Sequence, residues 1–139
     1  LCICTVTETF DGPEINSANP WKGNLDEFII DEDGRLHLNG VKNEAGKVGL
    51  HCTIPYASTM QWEFDVYMEE IPSGSNYLRL YLYTENDGTY YYVQVGHSGT
   101  KKISLRTNKK QVLFPLKESG LTGKPVFLHI KATLEDNKA

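Results

Sequence analysis

Gln61-Trp62-Glu63-Phe64-Asp65-Val66-Tyr67-Met68-Glu69 alternates along its length: Trp62, Phe64, Val66 and Met68 are apolar, while Gln61, Glu63, Asp65, Tyr67 and Glu69 form the other set. Successive strand side chains point to opposite faces, so this period of two predicts a half-buried β-strand. Tyr77–Glu85 repeats the pattern. Leu78, Leu80 and Leu82 fall on one side, and Tyr77, Arg79, Tyr81 and Tyr83 on the other. Asn86-Asp87-Gly88 then reads as a hairpin turn. Thr89–Gly96 follows, with Tyr91, Val93 and Val95 opposed to Tyr90, Tyr92 and Gln94.

Outward from this centre the signals weaken but keep their spacing. Thr7–Phe10, Phe28–Ile30, Arg35–Leu38, Val48–Ile54, Ile103–Thr107 and Val126–Thr133 are further strand candidates. Between them lie Asp11-Gly12-Pro13, Asn19-Pro20, Asp33-Gly34, Asn39-Gly40, Pro72-Ser73-Gly74 and Ser98-Gly99, which suit tight turns. No helical period runs for ten residues, although Leu116–Leu121 has room for one helical turn. About nine or ten short strands predict an all-β antiparallel sandwich or barrel. Neither an internal repeat nor a linker interrupts it, so the expectation is one domain over residues 1–139.

The ends of the chain carry their own expectations. Val126–Thr133 runs into Glu135-Asp136-Asn137-Lys138, which reads as a hairpin turn whose second strand lies beyond Ala139. The natural chain is therefore expected to continue. Leu1-Cys2-Ile3-Cys4-Thr5 reads either as an edge segment or as the remnant of a secretory leader, including a lipoprotein acceptor cysteine. Cys2 and Cys4 are too close to bridge readily, and no C-x-x-C pair suggests zinc. Cys52, in an apolar segment, is expected to be a buried free thiol.

Composition narrows the function classes. A net charge of -4 argues against nucleic acid, whose binders usually present a basic stripe. No apolar run approaches the roughly 20 residues of a membrane helix. No cofactor is expected, because there is no phosphate loop, no nucleophile elbow and no ligand-like spacing among His37, His51, His97 and His129. Asp31-Glu32-Asp33-Gly34 could gather calcium, but it lacks the full loop pattern and reads better as a hairpin turn. No metal site is expected.

The tyrosines are the unusual feature: five of eight lie between Tyr81 and Tyr92. If the three central strands share a sheet, one face carries Glu63, Asp65, Tyr67, Arg79, Tyr81, Tyr83, Tyr90, Tyr92 and Gln94. Aromatic rings stack on the C–H faces of pyranoses, and planar polar groups bond their hydroxyls, so this mixture suits an oligo- or polysaccharide. Cross-strand tyrosine pairing accounts for the same residues without a ligand. Trp21, in Asn19-Pro20-Trp21-Lys22-Gly23, reads either as an exposed stacking platform or as a plug at one end of the sandwich. Trp62 is assigned to the core.

Glu63-Phe64-Asp65-Val66-Tyr67-Met68-Glu69 resembles the catalytic strand of laminarinase- and lichenase-type glycoside hydrolases, which are jelly rolls. A retaining mechanism needs carboxyl groups about 5–5.5 Å apart. Glu63 and Glu69 are six positions apart, about 20 Å in a regular strand. No catalytic residue is assigned on that basis.

A broader resemblance spans nearly the whole chain. Thr9-Phe10-Asp11-Gly12, Asn19-Pro20-Trp21-Lys22-Gly23, Phe28-Ile29-Ile30, Trp62-Glu63-Phe64, Ser75–Leu82, Gly88–Gly96 and Phe127–Thr133 resemble, in order, a sandwich domain of secreted bacterial proteins. That domain often precedes lamin-tail domains. The resemblance implies a concanavalin-A-like jelly-roll sandwich, C-terminally truncated here, in a secreted or cell-surface protein. It also implies neighbouring domains as partners. Three functions compete: a lectin-like carbohydrate-binding module, a structural or protein-interaction module of a surface protein and, as a minor alternative, a glycoside hydrolase of laminarinase type.

Overall fold

The computed structural model describes residues 5–39, 48–97, 100–109, 112–115 and 125–135. They fall into two compact units, Leu1–Ala57 and Ser58–Ala139. Every strand pairing in both is antiparallel.

The first unit is built from short elements. β1 (Lys22–Gly23) pairs with β4 (Leu50–His51), and β2 (Phe28–Ile30) with β3 (Leu36–Leu38). A 3-10 turn, Leu25–Glu27, precedes β2. The β2–β3 turn is closed by Asp31, whose Oδ1 accepts from the backbone N–H groups of Asp33 at 3.0 Å and Arg35 at 2.9 Å. An aspartate bonding the backbone just ahead of it is a turn-forming device, so Asp31-Glu32-Asp33-Gly34 is a hairpin turn. Thr7–Phe10 is irregular rather than a strand. Its polar groups are engaged by side chains: Asn19 Nδ2 donates to the Thr7 carbonyl, and the Phe10 N–H donates to Glu8. The expected Val48–Ile54 strand shrinks to Leu50–His51, and Cys52 is half-buried rather than buried.

The second unit holds the long strands: β5 (Met60–Met68), β6 (Leu78–Thr84), β7 (Tyr90–His97), β8 (Thr100–Thr107), β9 (Val112–Pro115) and β10 (Val126–Leu134). They form a four-stranded sheet, β6-β7-β8-β9, and a two-stranded sheet, β10-β5. Val66 of β5 and Ile130 of β10 meet Val93 and Val95 of β7 in one buried cluster. Phe64, Met68, Leu78, Leu80, Leu82, Ile103, Leu105, Leu128 and Ala132 pack around it. The alternation read from sequence therefore becomes two layers with apolar faces together, as in a β-sandwich. Each fully buried valine or isoleucine contributes on the order of 1.5–3 kcal/mol.

One expectation is overturned here. β5 does not share a sheet with β6 and β7; it pairs with β10 over nine residues, Met60 against Leu134 through Met68 against Val126. Alternation says which side of a strand is buried but not which strand lies beside it. The segment after β5 carries the chain to the other layer through a turn in which the Ser73 N–H donates to the Asn76 carbonyl. Gly96 lets that turn close in. It has φ +109, and a Cβ there would stand 2.8 Å from the Ser73 carbonyl oxygen.

The short strand Val112–Pro115 was hidden in the sequence by its proline. It is tolerated because β9 is the outermost strand of its sheet. Cys2, Cys4 and the Leu116–Leu121 turn lie outside the described residues. Among the described residues no helix is long and apolar enough to cross a membrane.

Candidate functional site

Turned away from the core, the outer face of β6–β8 carries alternate residues of each strand. Arg79 lies opposite Gln94, Tyr81 opposite Tyr92, Gln94 opposite Ser104, and Tyr92 opposite Arg106. This brings together five of the expected residues: Arg79, Tyr81, Tyr90, Tyr92 and Gln94. It adds Ser104 and Arg106, which the sequence reading missed. The signal was present, because Ile103 and Leu105 belong to the core cluster and fix the opposite parity for Ser104 and Arg106.

The face is organised around Tyr92, which is only 7% exposed. The Arg79 guanidinium lies 4.8 Å from the Tyr92 ring centroid and 5.4 Å from that of Tyr77. Cations over aromatic faces are attracted by the ring quadrupole. Arg79 Nε also donates to Gln94 Oε1 at 3.2 Å, and Gln94 Nε2 donates to the Gly96 carbonyl at 2.8 Å. On the next strand, Arg106 Nε donates to Ser104 Oγ at 2.7 Å. Rings of Tyr81 and Tyr90 flank Tyr92 with centroids 5.4 and 6.1 Å away. Tyr81 stands highest, 54% exposed. Burial works against the charge of Arg79, but hydrogen bonding to Tyr81 and the surrounding phenols shift its pKa upward. Among the described residues, no carboxylate forms an ion pair with Arg79 or Arg106.

Tyr83 does not belong to this face. A bulge falls between Tyr81 and Tyr83, so Leu82 has no partner and Tyr83 lies opposite Tyr91. The extra residue lets two successive side chains turn inward. Tyr83 then stacks between Trp62, at 5.9 Å, and Tyr91, at 4.6 Å, both nearly parallel to it. Trp62 is buried, as expected. The Tyr91 hydroxyl donates to Glu85 at 2.9 Å. Burial, that bond and the neighbouring Tyr83 push its pKa up to about 12.

The remaining expected residues of β5 lie on the other layer's outer face. Asp65 sits opposite His129, Glu63 opposite Lys131, and Tyr67 opposite Phe127. His129 Nδ1 is 2.7 Å from Asp65 Oδ1, and its Nε2 is 3.9 Å from Glu63 Oε2. The bond to Asp65 raises the His129 pKa, and Glu63 adds to the effect. Tyr67 and Phe127 form an aromatic pair with centroids 4.7 Å apart. β5 ends at Met68, so Glu69 lies just past the strand that holds Glu63 and Asp65.

Trp21 belongs to the first unit and is half-buried rather than an open platform. Its Nε1 donates to Glu8 Oε1 at 2.7 Å, and its ring lies 6.0 Å from Phe10. Burial by itself would raise the Glu8 carboxyl. Bonds from Trp21, Asn19 and the Phe10 backbone outweigh it and hold the carboxyl below its usual range. Among the described residues no group of three or more His, Cys, Asp or Glu is placed to hold a metal ion. Compared with known proteins, the chain matches no family model, no curated protein and no solved structure.

Proposed function

We propose that this chain is a non-catalytic carbohydrate-binding module of a secreted or surface protein, built as a concanavalin-A-like jelly-roll sandwich. Its site is the outer face of β6–β8. The observation that carries this reading is the exposed ring of Tyr81 beside an arginine fixed by Gln94 and two tyrosine rings. A pyranose stacks on Tyr81, while the guanidinium supplies planar donors in a preset position. Holding those donors in place before binding lowers the ordering cost of association.

A glycan array with the wild-type chain and Tyr81→Ala tests it. Tyr81 projects from the sheet, so its loss leaves the fold intact. Binding to one glycan class, clearly weakened in the variant, supports the reading. An array on which the folded wild-type chain binds nothing defeats it.

A protein-interaction module of a surface protein is the second reading. The Tyr67–Phe127 pair on β5 and β10 favours it, since Phe127 is 64% exposed and Tyr67 37%. Exposed aromatic pairs of this kind anchor protein contacts.

A further inference from the structure

We propose that the saccharide bound on the β6–β8 face is acidic, with its carboxylate or sulfate held by Arg79 and Arg106. This rests on the carbohydrate-binding reading and names the ligand class. Three features of the face lead to it.

The first is charge. The chain as a whole carries -4, yet this face presents two arginines with no carboxylate paired to either among the described residues. A half-buried cation without a counter-ion is costly to keep dehydrated, and an anionic ligand removes that cost. The second is the way each guanidinium is held. Both are anchored through Nε to a neighbour on the sheet, Gln94 Oε1 for Arg79 and Ser104 Oγ for Arg106. Anchoring at Nε orients the terminal Nη groups, the pair that meets a planar carboxylate or a sulfate.

The third is placement. β6 and β8 flank β7, and Arg79 and Arg106 pair with Gln94 and Tyr92, so their backbones are two strand spacings and two residues of offset apart, about 12 Å. The Arg79 guanidinium leans over Tyr92, the residue directly opposite Arg106. Both arginines thus stand on one face, Arg79 with its guanidinium over the Tyr92 ring and Arg106 paired with Tyr92 in the backbone register, and Tyr81 lies beside that ring as the stacking surface. A neutral sugar needs no such pair, whereas a uronate or sulfated residue uses both.

Affinity electrophoresis in gels containing polygalacturonate, dextran sulfate or neutral dextran tests the inference. The proteins are wild type, Arg79→Gln, Arg106→Gln and, from the opposite layer, Lys131→Gln. Retardation by a charged polymer, weakened on the order of tenfold by either arginine change and unchanged by Lys131→Gln, supports it. Polygalacturonate alone points to a carboxylate, and dextran sulfate alone to a sulfate. Equal weakening by Lys131→Gln overturns it, because the attraction is then diffuse. Retardation by neutral dextran that ignores both arginine changes overturns the acidic ligand but leaves carbohydrate binding standing. If no glycan is bound in the gels or on the array, both fail. Arg79 also supports the Tyr92 packing, so each variant is checked by thermal melting, and Arg106→Gln decides the matter if Arg79→Gln does not fold.

Discussion

The two outward faces of the second unit come from the same alternating pattern and reach opposite electrical states. On β5 and β10, the polar groups answer one another across the strands: Asp65 meets His129, and Lys131 lies opposite Glu63. On β6–β8, the arginines are held by amide, hydroxyl and aromatic neighbours, and no acid neutralises them among the described residues. The first face pairs acids with bases across its strands, while among the described residues the arginines of the second are held by neutral groups only, which is the contrast the proposed site rests on.

The contrast depends on the apolar layer behind both faces. Ile130→Ala removes part of that layer, and it should lower unfolding stability by about 3 kcal/mol in urea titrations. Both faces should be lost in a single transition; two separate transitions would mean that the layers are held independently. The next effect is smaller and confined to one side. Tyr81→Ala should weaken saccharide binding about tenfold, equivalent to about 1.4 kcal/mol, measured by calorimetry. Phe127→Ala on the opposite layer should leave the affinity unchanged, and reversal of these two results would move the site to β5 and β10.

Two titrations sharpen the comparison further. The Tyr91 pKa, raised to about 12, favours the neutral phenol in the fold. Its stabilising effect is therefore complete below pH 10, the ordinary tyrosine value, and is lost as the pH climbs toward 12. Absorbance at the phenolate band should show one tyrosine ionising late, and Glu85→Gln should bring it forward. The smallest effect is at His129, whose raised pKa favours the charged imidazole. That contribution is complete below its ordinary value of 6.5 and fades as the pH rises through the folded value. Proton NMR should place the His129 titration above 6.5 in the wild type and back toward it in Asp65→Asn; an unchanged midpoint would mean that the pair does not form in solution.

The sequence disclosed parity well and adjacency poorly. Trp62, Val66, Val93 and Val95 were legible as core because burial imposes the period of two directly. The partner of β5 was not, because β10 lies some 60 residues downstream and nothing local distinguishes it from β6. That single unknown set Glu63, Asp65 and Tyr67 beside Arg79 and the tyrosines, whereas they lie in the other sheet. Five of the ten expected site residues still came together, since they sit on β6 and β7, which a tight turn joins. Trp21 was ambiguous for a different reason: the acid that holds it, Glu8, is remote from it in sequence and looked like part of a strand.

The bulge at Leu82 has a consequence for how such a surface can vary. Pairing without it would set Tyr83 against Tyr90 and line up one more ring in the open. With it, that ring is withdrawn into the stack with Trp62 and Tyr91. The size of the aromatic platform is thus governed by the phase of one strand against its neighbour, so a slip of a single residue would widen or narrow it with the amino-acid composition unchanged.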